Sequence, residues 1–206
     1  MKTLYLTLVA MLPAAAAWSG ETGEWPAKIA AERAACAALL SGLDIAWKSL
    51  DPIGDGHGCG AAAPIEVSAI DGVRLDPPAT INCRLALGLH DWIANTVQPA
   101  AARDLKTRVT VIHTASSYAC RARNSQKGGK LSEHGHADAL DMAGFSFAKS
   151  DAVTVARGWR GPFLEHIRAG ACRSFTTVLG PGSDAYHGTH FHVDAIQRRD
   201  GWRVCN

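Results

Sequence analysis

Two short stretches hold most of the side chains in this sequence that could do chemistry. Residues 131–142, Leu-Ser-Glu-His-Gly-His-Ala-Asp-Ala-Leu-Asp-Met, place His134, His136, Glu133, Asp138 and Asp141 beside a serine and small residues that let backbone approach closely. Further along, residues 187–194, His-Gly-Thr-His-Phe-His-Val-Asp, add His187, His190, His192 and Asp194. Five of the nine histidines fall in these two windows, far from random scatter. Imidazole and carboxylate are the donors of catalytic zinc sites, which take three protein ligands and keep a fourth position for water. One metal site closed by both windows is therefore expected.

The spacing bears on how such a site would be assembled. His134 and Asp141 would share a face on a helix, but Gly135, Ala137 and the alternation at 139–142 point to a loop leading into a strand. Either geometry lets both reach one ion. His190 and His192 are two apart and point to the same side of a strand. Asp194 joins that side as an acceptor suited to hold an imidazole in place. A closed structural zinc site is disfavoured, because such sites favour cysteine. His57, in a glycine-rich loop, reads as exposed, and His90 as a packed or capped side chain on a helix.

The elements that must position these residues follow from composition and pattern. A chain of 206 residues, 47% apolar, is one domain with a real core. Charge is sparse at 19% with a net of +2, and no basic run marks a nucleic-acid surface. Residues 18–30 read as a loose lead-in and 31–43 as an alanine-rich helix stopped at Gly42. Residues 64–75 alternate around Asp71-Gly72, a hairpin that Pro77-Pro78 should end. Leu85, Leu89, Trp92, Ile93 and Val97 make an apolar helical stripe over 83–103. Strands are expected at 108–115, from 139 to 147, at 153–155, 175–179 and 190–196, and a helix at 162–171 with Pro162 in its first turn. Without a regular strand–helix–strand rhythm, the class is α+β with a mainly antiparallel sheet and flanking helices.

The first residues resemble an export signal. Met1-Lys2 is a positive start, residues 4–13 are mostly apolar, and residues 14–17 offer small-residue cleavage positions. A signal at 1–17 places the rest outside the cytoplasm, with residues 31–206 as the functional domain. The six cysteines, Cys36, Cys59, Cys83, Cys120, Cys172 and Cys205, then suggest three disulfides. About fifteen pairings are open to six cysteines; sequence proximity favours Cys36–Cys59, Cys205 needs a partner to tie it down, and the set expected is Cys36–Cys59, Cys83–Cys120 and Cys172–Cys205.

The motif Ser132-x-His134-x-x-Ala137-x-Ala139-x-Asp141 resembles that of the D-Ala-D-Ala carboxypeptidases and dipeptidases, within the lysostaphin/D-Ala-D-Ala/hedgehog zinc peptidase superfamily. Ser117-Tyr118-Ala119-Cys120-Arg121, Asn124, residues 130–134 and the final His-x-His-Val-Asp more closely resemble the bacterial extensin-like C-terminal domain family. The spacing of His187, His190 and His192 is also similar to that of penicillin-insensitive murein endopeptidases. The resemblance spans about residues 36–205. It implies zinc held by His134, Asp141 and His192, with His190 as general base and Ser132 positioning the motif loop. Arg121 would stabilise the oxyanion, with Arg123 as the fallback. Ala137 replaces the usual glycine, and the extra His136 is implied at the rim or as an alternative ligand. Glu133, Asp138 and His187 are expected around the site.

The resemblance implies an exported, monomeric peptidoglycan hydrolase acting on stem peptides or their cross-links, with no nucleic-acid partner. Two other readings compete: a catalytically inactive cell-wall-binding module with the same fold, and a disulfide-bonded interaction domain carrying surface histidines.

Overall fold

The computed structural model describes residues 24–54 and 58–206, so the expected signal at 1–17, the start of the lead-in and His57 lie outside the described residues. Helix α1 (Glu24–Leu40) begins inside the segment expected to be irregular. Alanine-rich sequence carries it, and Pro26 sits in its first turn, where a missing N–H is harmless. Next come β1 (Ile45–Ser49) and a small hairpin of β2 (Ile53–Gly54) with β3 (Gly60–Ala61). The larger hairpin of β4 (Ile65–Ile70) and β5 (Val73–Ile81) turns at Asp71 and Gly72, whose φ of 50° and 70° suit the left-handed two-residue turn.

Pro77-Pro78 do not end that hairpin. The ladder passes from Arg74 opposite Ala69 to Ala79 opposite Val67, so the prolines lie in an irregular stretch where no N–H has to pair with β4. The single helix expected over 83–103 is α2 (Cys83–Trp92), a π turn at Ile93–Val97 and α3 (Gln98–Leu105). Pro99 follows the π turn, where a regular α-turn would have brought its ring against the carbonyl of residue 95. The remaining elements are β6 (Val109–Ser116), β7 (Ala139–Phe147), β8 (Val153–Thr154), α4 (Val155–Gly158), α5 (Pro162–Ser174), β9 (Thr177–Leu179), β10 (Phe191–Asp194) and β11 (Val204–Cys205). The short β11 has no signal in the sequence.

The class is α+β, as expected. The main sheet runs β1-β4-β5-β6-β7-β10-β9-β11, with β8 beside β7; only β5/β6 and β9/β11 are parallel. Period-two alternation separates its two faces. Leu140, Met142, Phe191, Val193 and Val178 join the core, together with Leu85, Leu89, Trp92, Ile93 and Ile167 from the helices. Asp141, His192, Asp194 and Thr177 point to the opposite side, where they line a hollow. Trp92 anchors the core. Its ring lies 5.8 Å from Phe175 and 5.7 Å from Phe191, and its indole N–H donates to the Ile167 carbonyl at 2.9 Å. Among the described residues no helix is long and apolar enough to cross a membrane.

Three disulfides staple the chain, but two of the expected pairings are exchanged. Cys36 joins Cys83 and Cys59 joins Cys120, whereas Cys172–Cys205 is as expected. Cys36 is closer to Cys59 along the chain, but α1 lies against the start of α2 and brings Cys36 and Cys83 to a Cα separation of 5.5 Å. Truncating the core anchor, Trp92→Ala, is expected to lower stability by about 3–5 kcal/mol in denaturant unfolding. A loss under about 1 kcal/mol would contradict this packing.

Candidate metal centre

Strand pairing sets the centre of the site. Asp141 on β7 and His192 on β10 are direct partners across an antiparallel ladder, so their side chains leave the sheet together. Ser116, at the end of β6, lies opposite Asp141 on the other side. The chain then makes an excursion in which residues 117–123 run beside 130–134. Ala119 N–H donates to the His134 carbonyl (3.2 Å), Ser132 N–H to Arg121 (3.0 Å) and Arg123 N–H to Lys130 (2.8 Å). This carries Arg121 and Arg123 to the wall of the hollow and returns the chain to a 3₁₀ turn, Glu133–His136, which presents His134.

That turn ends at Ala137 in the left-handed region, with φ of 53°. Glycine would adopt that conformation freely, whereas alanine loses about 1 kcal/mol or more. Gly135 is needed for space: a Cβ there would meet the Cys59 sulfur at 2.9 Å. The Cys59–Cys120 disulfide thereby lies directly against the motif turn, one residue from Arg121.

His134, Asp141 and His192 converge, each buried, with one ligand atom apiece all within 4.8 Å of one another. His134 Nδ1–H donates to the Ser117 carbonyl at 2.6 Å. Its Nε2 is then the lone-pair nitrogen. It lies 3.1 Å from Asp141 Oδ2 yet is a buried atom without a hydrogen-bond partner. Two electron pairs face each other there unless a proton or a cation lies between them. On the other flank His192 Nδ1 is 2.8 Å from Asp141 Oδ1, and its Nε2 is 3.4 Å from Asp194 Oδ2.

The electrostatics gather positive charge around a buried carboxylate. Burial would raise the Asp141 carboxyl, but the two histidines beside it, His134 and His192, hold it well below the usual range. Burial disfavours charge on His192, yet its hydrogen bonds to Asp141 and Asp194 push its pKa up to about 9. Asp194, whose burial acts the other way, is held low mainly by His192. His190 Nε2 stands 3.6 Å from Asp141 Oδ1. Burial, with the neighbouring histidines, lowers its pKa against the pull of Asp141. Two imidazoles and a carboxylate are a zinc donor set with a position to spare, and the orphaned Nε2 fits an ion.

The extensin-like protein C-terminus family matches residues 34–206. The chain belongs to that family. No curated protein and no solved structure matches it.

In this extensin-like domain the hollow has a volume of about 530 Å³, and the residues expected around it are distributed unevenly. Arg121 Nη2 lies 3.4 Å from Asp141 Oδ2 and faces the centre. Arg123 instead donates to Glu133 at 2.9 Å on the wall. Ser132 is buried and supports the turn through its backbone, its carbonyl accepting from Gly135 N–H at 2.9 Å. His187 packs its ring 5.0 Å from that of His190 and 5.6 Å from that of His192.

Two expected neighbours lie elsewhere. His136 is exposed and lines a separate hollow beside α1, because the 3₁₀ turn sends it away from His134. Asp138 is buried behind the motif rather than at its rim. It accepts from Asn82 Nδ2 at 2.8 Å, with an Arg84 nitrogen 3.7 Å away, and ties the motif to the start of α2.

Other contributors were not legible. Asp184 holds His187 Nδ1 at 2.7 Å, the Ser117 carbonyl orients His134, and Tyr186, Thr177, Arg198 and Trp202 line the hollow. A backbone carbonyl leaves no trace in sequence. Asp184 lies three residues before His187, outside both histidine windows.

Asp138 generates a pH prediction. Burial raises its pKa to about 6, against the Asn82 hydrogen bond and the Arg84 charge. The folded chain therefore keeps this proton where the unfolded chain has released it. Its contribution to stability is present at acid pH and is lost as pH rises from about 4 to 6. Asp138→Asn should gain on the wild type by about 2 kcal/mol between pH 4 and pH 7 in paired denaturant titrations. An unchanged difference across that range would contradict the burial assigned to this carboxyl.

Proposed function

We propose that this extensin-like domain is an exported zinc peptidase of the lysostaphin/D-Ala-D-Ala/hedgehog superfamily that hydrolyses peptidoglycan stem peptides or their cross-links. The observation that carries the reading is the convergence of His134, Asp141 and His192 around an unpartnered imidazole nitrogen, with Arg121 and His190 beside them. Three disulfides and the apolar, signal-like first residues support export.

His134, Asp141 and His192 would hold the zinc, His134 oriented by the Ser117 carbonyl and His192 by Asp194. Bound there, zinc supplies Lewis acidity that brings the pKa of a water to about 7 and polarises a peptide carbonyl. His190, kept neutral by its burial, accepts a proton from the attacking water at Nε2 and returns it to the leaving amine. Arg121 offers its guanidinium to the carbonyl oxygen as negative charge builds. Arg123 is bound to Glu133, so the oxyanion role falls to Arg121.

Incubation with defined muropeptides, read by mass spectrometry with and without chelator, tests the reading. The wild type is expected to carry about one zinc per chain and to lose hydrolysis on chelation. Asp141→Ala and His192→Ala should lose both metal and hydrolysis while keeping the disulfide-bonded fold. His190→Gln should keep the metal and lose about a hundredfold or more in kcat. Full activity of any of the three would overturn the assignments. Zinc binding without cleavage of any muropeptide would favour a binding module.

A further inference from the structure

The hollow contains an arginine that the chemistry above does not use. Four carboxylates line it, and each faces a basic partner: Glu133 meets Arg123, Asp141 meets His134, His192 and Arg121, Asp184 meets His187, and Asp194 meets His192. Arg198 is different. Among the described residues its guanidinium is bonded only to neutral oxygens: Nη1 donates to the carbonyls of Thr176 (3.1 Å) and Trp202 (3.2 Å), and Nη2 to Thr177 Oγ1 at 2.8 Å. A guanidinium has five N–H donors, so Nε and one Nη2 proton remain for a ligand, and among the described residues no carboxylate forms an ion pair with it.

The position is built rather than incidental. Thr177 is the ladder partner of Asp194 and hydrogen-bonds to it, and Asp194 in turn holds His192. Arg198 is thus connected to a candidate zinc ligand through two side chains. The tail carrying Trp202 is tied down by β11, by the Cys172–Cys205 disulfide and by Arg203, which donates to the Cys172, Arg173 and Phe175 carbonyls. Despite this anchoring Trp202 stays 61% exposed, with the Arg198 guanidinium 5.3 Å from its ring centre. A cation with free donors beside an exposed aromatic ring suits a carboxylate flanked by a small apolar group.

We propose that Arg198 and Trp202 form a subsite that binds a carboxylate of the peptide being cut, an inference that rests on the peptidase reading. The test compares three synthetic stem peptides ending in D-alanine: the acid, its C-terminal carboxamide, and the acid with its side-chain carboxylates amidated. The zinc-loaded full chain should favour the acid over whichever amidated peptide lacks the recognised group by about tenfold or more in kcat/KM, chiefly through KM. Which amidation matters tells a terminal from a side-chain carboxylate. Arg198→Gln should bring that ratio close to one, and Arg198→Lys should restore part of it.

Two results would overturn the subsite: no discrimination by the wild type, or a ratio that survives Arg198→Gln whatever happens to the absolute rates. If the wild type cleaves neither these peptides nor cross-linked muropeptides, the peptidase reading fails; in that case, or if only the cross-linked ones are cut, calorimetric binding of the same three decides the subsite. Tighter binding of the acid by the same margin supports it, and equal binding rejects it.

Discussion

The pairing of Asp141 with His192 across β7 and β10 is the constraint on which the rest depends. A shift of one residue in that register would send one side chain into the core and bring an apolar residue to the site. The register is held from the other face, where Leu140, Met142, Phe191 and Val193 pack with Trp92 and its aromatic neighbours. The same alternation that builds the core thus builds the site. Around this pair, His134 arrives from a turn packed against the Cys59–Cys120 disulfide, Arg121 from the excursion beside it, and His190 from the approach to β10.

Buried polar groups explain why the site stays in order. Each of its histidines with an oriented ring has a named acceptor: Ser117 for His134, Asp184 for His187, Asp194 for His192. Asp138, behind the motif, joins it to the cap of α2 through Asn82, whose own carbonyl oxygen accepts from Leu85 N–H at 2.9 Å. Among the described residues three buried side-chain atoms lack a partner, Arg33 Nε, Thr114 Oγ1 and His134 Nε2, and of these only the last belongs to a residue that lines the hollow. That contrast gives the convergence its chemical meaning.

Much of this was legible in the sequence, for reasons that separate local from non-local physics. The Asp71-Gly72 hairpin, the apolar stripe of α2 and the alternation through β7 and β10 are short-range patterns, and each produced its element. His134, Asp141 and His192 are singled out by the resemblance of their motifs; residue type and spacing alone point to the two windows and leave several of their histidines and carboxylates eligible. Cysteine pairing was misread for two bridges, since proximity in sequence says little about which helix packs where. Pro77-Pro78 were read as a stop because a bulge depends on the partner strand. His136 was placed near the ion by adjacency alone, and a 3₁₀ turn undid it. Arg198 carried no signal, because its role comes from a tail folded back along β9.

The central claim is that one ion is shared by ligands from the motif turn, β7 and β10. X-ray absorption at the zinc edge, on protein loaded with one equivalent, tests this most directly. The account predicts two imidazole nitrogens and carboxylate oxygen around the metal, and loss of that signature in either His134→Ala or His192→Ala because zinc is no longer held. A sulfur-containing shell, or a spectrum unchanged by both substitutions, would contradict it.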